Sequence, residues 1–301
     1  MKAIVTGALQ ATQEELNILR AMGLEVTLHQ DEQQRVDDPQ QYEVAICNGL
    51  FLYHDIGRFT RLKYIQLTSA GMDRVPLDYI QQQGIVLRNA AGVYSVPMAE
   101  WTLMRILEIC KNAGAQYANQ TAKLWGKDRS WRELAGKRAC IVGFGAYGLE
   151  TAKRLKAFDV TVTAVNRTRK ECPWVDRFYP MEELDDALAR ADIVIMAIAL
   201  TEQTRGMMDE ARFAAMKDSA VFVNAARGGL VDEAALINAL EKGKLSGVAL
   251  DVFETEPLPA DHPFWSVENL IITPHNSFVG ENNHSRLITG VLENLKDYLA
   301  E

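Results

Sequence analysis

A chain of 301 residues exceeds what one hydrophobic core usually supports, so two domains are expected. Its 48% hydrophobic and 24% charged residues are ordinary for folded proteins and exclude a disordered or fibrous chain. The net charge of −8, with no basic run longer than a few residues, argues against nucleic acid as a partner.

In chain order, the first ninety residues alternate short apolar segments with polar or helical stretches: KAIVTG (2–7), LEVTLH (24–29), EVAICNG (43–49), YIQLTSAG (64–71) and IVLRNA (85–90). This alternation predicts parallel strands joined by crossover helices. The first strand begins directly after Met1 with no signal-peptide apolar region, and no apolar run is long enough to span a bilayer. A cytoplasmic protein with no membrane contact is expected. The polar tract from Gln30 to Gln41 reads as a surface connection.

Residues 97–122 give one long helical pattern opened by Pro97, which suits a first turn, and the polar stretch LWGKDRSWREL follows. A second series then begins: RACIVGFG (138–145), VTVTAVNR (160–167), DIVIMAIA (192–199), AVFVNAARG (220–228), GVALDVF (247–253) and NLIITPH (269–275). These predict six strands of a second sheet, so the fold class is α/β with two doubly wound parallel-sheet domains. Leu287, Ile288, Val291, Leu295 and Tyr298 recur at helical spacing and predict one closing helix from Asn283 to the C-terminus. Cys47, Cys110, Cys140 and Cys172 form no CxxC pair, so reduced structural thiols and no metal site are expected.

Gly143, Gly145 and Gly148 form GxGxxG between the strand ending at Val142 and the helical run LETAKRLKAF. Glycines there permit a tight turn and close backbone approach, so that the N–H groups opening the helix, at Ala146 and Tyr147, can meet a pyrophosphate. Glycine-rich turns also arise for structural reasons, and it is the strand, helix and following strand that make this one a dinucleotide site. Eighteen residues beyond Gly148, where an NAD site usually carries a carboxylate for the ribose hydroxyls, stands Asn166. Arg167, Thr168, Arg169 and Lys170 follow, a cluster able to hold a 2′-phosphate. NADP(H) is therefore the expected cofactor, with NAD(H) use left open and solvated turn residues as the structural alternative.

Three later segments place an ionisable residue at or just past a strand's C-terminal end, where open parallel sheets bind ligands: Arg227, Glu256 and His275. Carbonyl reduction needs a cation to hold the carboxylate and polarise the carbonyl, and an acid to deliver a proton. Arg227 and His275 supply these, and a carboxylate at Glu256 would favour protonated His275. Taken singly, each also reads as an ordinary surface, loop or junction residue.

At this point the chain resembles the D-isomer-specific 2-hydroxyacid dehydrogenases, among them glyoxylate/hydroxypyruvate reductases. The resemblance covers nearly the whole chain, through LTSAGMDRV (67–75), NAAGVYSVPMAE (89–100), IVGFGAYG (141–148), VNAARGGLVDEAAL (223–236), ALDVFETEPL (249–258) and TPHNS (273–277). It implies that Arg227, Glu256 and His275 are catalytic, with His275 as acid in reduction, and that Asp251 contacts the nicotinamide carboxamide. It implies that Ala225 and Ala226 lie along the cofactor, and that Ser69, Ala70 and Gly71 offer backbone N–H groups to the carboxylate of a 2-keto or 2-hydroxy acid. It further implies a discontinuous, flavodoxin-like substrate domain (1–96 and 277–301), an inserted Rossmann cofactor domain (97–276), closure of the two over substrate, and a homodimer formed through the cofactor domain and the helix before it.

The apolar run 101–110 fits such an interface and fits burial within the monomer equally well. Trp125 and Trp131 read as packing residues, with capping of a partner's pocket as the alternative. Where the family commonly carries Ile, Gly or Ala after the histidine, this chain has Asn276, Ser277 and Phe278, so its pocket is expected to differ. GLFLY (49–53) stands in a loop that usually adds to that pocket and suggests an apolar wall suited to an uncharged side chain. With no domain after the closing helix, feedback regulation of the phosphoglycerate dehydrogenase kind is not expected. Two other readings share the fold: a dinucleotide-sensing corepressor, and a formate dehydrogenase, which carries glutamine where this chain has Glu256.

Overall fold

The computed structural model describes residues 1–300. In chain order the elements are β1 (Lys2–Thr6), α1 (Gln13–Ala21), β2 (Glu25–His29), β3 (Val44–Cys47), α2 (Leu50–Tyr53), β4 (Tyr64–Leu67), α3 (Leu77–Gln82), β5 (Val86–Arg88), α4 (Ser95–Cys110) and α5 (Ala113–Thr121). Then come β6 (Arg138–Val142), α6 (Ala146–Lys156), β7 (Thr161–Val165), β8 (Arg177–Tyr179), α7 (Leu184–Arg190), β9 (Ile193–Met196), α8 (Glu210–Ala215), β10 (Ala220–Asn224), α9 (Glu233–Glu241), β11 (Leu245–Leu250), β12 (Leu270–Ile272) and α10 (Asn283–Ala300).

Two units result. The first comprises Met1–Tyr94 and the stretch from Gly280 onward, and the second is Ser95–Val279. The first holds a parallel sheet of order β2-β1-β3-β4-β5. Its central strands β3 and β4 are buried along their whole length; β3 is an unbroken apolar run, and the one polar residue of β4, Gln66, is satisfied by Tyr64 OH, Leu67 O and Asn294 Nδ2. A capping box opens α1: Glu15 N donates to Thr12 Oγ1 at 3.3 Å, and Thr12 N donates to Glu15 Oε2 at 2.7 Å. Helix α10 returns to this unit and buries Leu287, Val291 and Leu295 against Val5, Leu16 and Tyr64. Each such fully buried aliphatic side chain contributes about 1.5–3 kcal/mol.

The second unit holds a parallel sheet of order β12-β11-β10-β9-β6-β7-β8, the doubly wound pattern with its switch point beside β6. Its seven strands correct the expectation of six. Strand β8 is only three residues long and follows a polar turn, too short for an alternation pattern to register. The expected helix over 97–122 is also corrected. It starts at Ser95 and breaks at Asn112, whose left-handed backbone (φ 49°) separates α4 from α5, a conformation asparagine adopts more readily than most residues. The run 101–110 buries Trp101, Thr102, Ile106 and Cys110 within its own unit and leaves Met104 exposed. The unit boundaries fall at 94/95 and 279/280 rather than 96/97 and 276/277. Ser95 already belongs to α4, and Ser277 N is tied to Asp251 of the second unit at 2.8 Å.

All four cysteines are free, and burial pushes the Cys140 thiol up to about 12 and raises those of Cys47 and Cys110. Among the described residues no helix is long and apolar enough to cross a membrane.

Candidate active site

The glycine loop runs from β6 into α6. Gly143 adopts φ +92°, and a Cβ there would lie 2.5 Å from Ala197 O and 2.6 Å from the Ile198 Cα, so the chain leaving β9 presses directly on this turn. A Cβ at Gly148 would lie 2.7 Å from Gly143 O, which explains how α6 packs onto its own loop. Gly145, at the N-cap of α6, has nothing within 4 Å of a Cβ position. An open glycine surface at the start of an eleven-residue helix, with donors and no carboxylate in its first turn, fits a bound pyrophosphate. The Tyr147 side chain does not join it. Its hydroxyl pairs with Thr102 Oγ1 at 2.6 Å, and burial, with Asp251 nearby, raises its ionisation well above the usual tyrosine range. Only the backbone of Tyr147 remains for a ligand.

At the tip of β7, Asn166 joins two loops: its Oδ1 faces Phe144 N at 3.5 Å and its Nδ2 donates to Thr168 O at 2.8 Å. Arg167, Thr168, Arg169 and Lys170 are exposed. Beside them lies a cavity of about 500 Å³ lined by Arg169, Lys170, Glu171, Cys172, Asp176 and Arg177 among others. The Asp176 charge is taken up by Lys156 at 2.9 and 3.0 Å, which leaves the rim cationic.

The three ionisable residues stand on adjoining loops of the same unit. After β10, Asn224 builds the turn: Ala226 N donates to its Oδ1 at 3.0 Å, and its Nδ2 donates to Arg227 O at 2.9 Å. Ala225 is buried, Ala226 and Arg227 are half-buried, and Arg227 donates to Ala226 O at 2.8 Å. A Cβ on Gly228 would lie 1.9 Å from Phe253 C and 2.4 Å from Glu254 N, so the loops after β10 and β11 touch backbone to backbone. In the second of these loops Glu256 Oε1 accepts from Phe253 N at 3.0 Å, and its Oε2 meets His275 Nδ1 at 2.7 Å. The pair is about one-third exposed, at 33% and 34% of the side chains. With Nδ1 committed to the carboxylate, Nε2 is the nitrogen that can exchange a proton with a ligand.

His275 has φ +50°. Asp251, wholly buried, holds it so: Thr273 Oγ1 (2.6 Å) and Asn276 N (3.0 Å) donate to its Oδ1, and Ser277 N (2.8 Å) to its Oδ2. The bonds that Asp251 makes thus lie on the turn bearing the histidine, a role the sequence reading did not assign to it. Asn224 and Thr273 were missed too. Their signal was an amide and a hydroxyl at the very ends of strands, where such side chains organise turns.

In the first unit, Ser69, Ala70 and Gly71 follow β4. Tyr94 OH donates to Thr68 O at 2.5 Å, Ser69 Oγ to Gly71 O at 2.9 Å and Asn89 Nδ2 to Ala70 O at 2.6 Å. The carbonyls are thereby occupied, whereas the N–H groups of Ala70 and Gly71 carry no partner among the described residues. GLFLY forms the short helix α2, with Leu50 fully buried and Leu52 and Tyr53 more than half exposed.

Comparison with known proteins bears on this arrangement. The family model described as "D-isomer specific 2-hydroxyacid dehydrogenase, NAD binding domain" matches residues 103–277. A glyoxylate reductase of Thermofilum pendens is 36% identical over 225 residues, 71% of this chain and 65% of the relative. A D-3-phosphoglycerate dehydrogenase of Archaeoglobus fulgidus is 31% identical over 284 residues, covering 91% of this chain but 53% of the relative. The chain thus spans about half the length of that enzyme. Among solved structures, a D-isomer specific 2-hydroxyacid dehydrogenase from Xanthobacter autotrophicus Py2 in complex with NADPH and MES superposes with a TM-score of 0.81 at 29% identity, over 98% of this chain and 93% of that one. The family model spans more than half of the chain, including the glycine turn and the loops bearing Arg227, Glu256 and His275, and the chain belongs to the D-isomer specific 2-hydroxyacid dehydrogenases.

Proposed function

We propose that this protein reduces a small 2-keto acid to the D-2-hydroxy acid with NADP(H), and that it works in the cytoplasm as a homodimer. The observation that carries the reaction is the 2.7 Å contact between Glu256 and His275 Nδ1, on loops joined at Gly228 to the one bearing Arg227. Gly145 and the backbone of Ala146 and Tyr147 would hold the pyrophosphate on the turn that Gly143 and Gly148 shape, and Ala225 and Ala226 would line the nicotinamide end, with Asp251 acting through the turn that bears His275. When bound, the reduced dinucleotide supplies hydride. Arg227 binds the carboxylate and polarises the keto oxygen, as a guanidinium does in a partly water-excluded site. Nε2 of protonated His275 donates the proton to that oxygen, and Glu256 stabilises the charged ring and fixes its orientation. In the first unit, the N–H groups of Ala70 and Gly71, unpartnered among the described residues, suit a carboxylate.

The preference for NADP(H) rests on Asn166 in place of a carboxylate and on exposed Arg167, Arg169 and Lys170; the Xanthobacter structure contains NADPH. An NADP(H) enzyme favours the reductive direction in a cell. Dimerisation is supported by the apolar side chains exposed on α4, α5 and the segment after them: Met104, Tyr117, Leu124, Trp125 at 99% and Trp131. Trp125 therefore departs from the packing role expected of it. The test is the oxidation of NADPH and NADH with glyoxylate, hydroxypyruvate, pyruvate, 2-ketoisocaproate and phenylpyruvate. Turnover with NADPH that is lost in His275→Ala, and a rise in the Michaelis constant for NADPH far exceeding that for NADH in Arg167→Ala/Arg169→Ala, are expected. Equal changes for both cofactors would refute the NADP(H) assignment, and tight dinucleotide binding without turnover would favour a sensor.

A further inference from the structure

The polar tract between β2 and β3, read from sequence as a surface connection, turns one carboxylate inward. Glu32 Oε1 accepts from Thr6 Oγ1 and from Asn48 N, both at 2.7 Å, and Oε2 accepts from Gly49 N at 2.6 Å. The backbone oxygen of the same residue meets His54 Nε2 at 2.8 Å. Both ends of the segment 48–54 are therefore fixed by a single residue that reaches across the end of β1. Between those ends lies α2, a single turn of four residues whose N-cap, Gly49, offers no side chain. One turn is not stable alone, because nucleation is unfavourable, so its placement comes from these bonds and from buried Leu50.

What this clamp presents is Leu52 and Tyr53, 57% and 54% exposed, at the C-terminal end of β3. Strand β4 pairs directly with β3, and Ala70 and Gly71 follow β4 at the same sheet edge, the edge at which parallel sheets bind ligands. We propose that Glu32 is a positioning residue that sets substrate side-chain selectivity by holding Leu52 and Tyr53 beside the carboxylate-binding loop. This rests on the keto-acid reading above. A 2-keto acid held through its carboxylate at Ala70 and Gly71 would, on this assignment, meet Leu52 and Tyr53 with its side chain, whereas glyoxylate has only hydrogen there. Glutamine at position 32 keeps the shape but turns an NH₂ group toward an N–H donor, which releases one end of the segment.

The experiment compares wild type, Glu32→Gln and Leu52→Ala with glyoxylate, pyruvate and 2-ketoisocaproate, together with amide hydrogen exchange of residues 48–54 and thermal melting. In Glu32→Gln we expect faster exchange over 48–54 and a fall of about tenfold in kcat/KM for 2-ketoisocaproate relative to glyoxylate, the size of effect that a displaced apolar pocket wall produces. KM for NADPH should not change. Leu52→Ala should reproduce the altered ratio without the change in exchange, which separates wall from clamp. Unchanged substrate ratios in folded Glu32→Gln, or an equal loss on all three acids, would overturn the assignment. Lack of wild-type turnover on every keto acid would instead refute the reaction reading beneath it.

Discussion

Replacing Gly228 by alanine tests the join between the two loops that carry Arg227 and Glu256. The added methyl would lie 1.9 Å from Phe253 C and 2.1 Å from Phe253 O, both backbone atoms, where ordinary contact begins at 3.4 Å. One loop must therefore move by about 1.5 Å, and a misplacement near 1 Å costs on the order of 100-fold in rate. That corresponds to about 2.7 kcal/mol of transition-state stabilisation. Overpacking should also lower stability, by about 1–3 kcal/mol. Gly229→Ala is the control, because its methyl meets only the ends of the Arg205 and Leu200 side chains, at 3.1 Å or more, which can rotate aside. Steady-state kcat, NADPH binding and a urea melt of both variants form the assay. The expected outcome is a roughly 100-fold lower kcat in Gly228→Ala, and near-normal activity in Gly229→Ala. Equal kcat in the two variants would refute the claim that this backbone contact aligns the catalytic groups.

Asp251→Asn keeps the size of the side chain but offers an NH₂ group where only acceptors are satisfied; we expect a loss of about 2–3 kcal/mol in stability and a lower kcat, both measured against wild type by urea melting and initial rates. Glu15 is held below the usual glutamate range: burial works to raise it, but hydrogen bonds from Thr12 and His284 outweigh that effect. Its contribution is therefore present above the unfolded value and lost as pH falls through the lower folded value. Glu15→Gln should cost about 1 kcal/mol near neutral pH, with the difference from wild type vanishing in acid, as followed by melting across pH. Trp125→Glu should yield a smaller particle by light scattering with the second unit's fold intact, and an unchanged mass would remove this face from the dimer interface.

Much of the candidate site was legible along the chain because its chemistry is local. The GxGxxG turn follows directly on a strand, Asn166 and the cations after it occupy a fixed offset from it, and Arg227, Glu256 and His275 each lie in the loop that follows a strand-like run. Apolar strand-like runs likewise carried both sheets, since buried parallel strands read as continuous apolar segments, and helical spacing gave α10, whereas its return to the first unit was only what the family resemblance implied. Tertiary structure decided what depends on meetings across sequence. Asp251 is one acidic residue among many until three donors from 273–277 converge on it, and Gly228 is an ordinary loop glycine until Phe253 lies against its Cα. Glu32 sits in a tract whose composition marks it as solvated, yet its carboxylate satisfies N–H groups sixteen and seventeen residues away. Composition and periodicity report which residues leave water on average; they do not report which distant backbone donor a given carboxylate reaches, because that is fixed only when the strands are placed side by side.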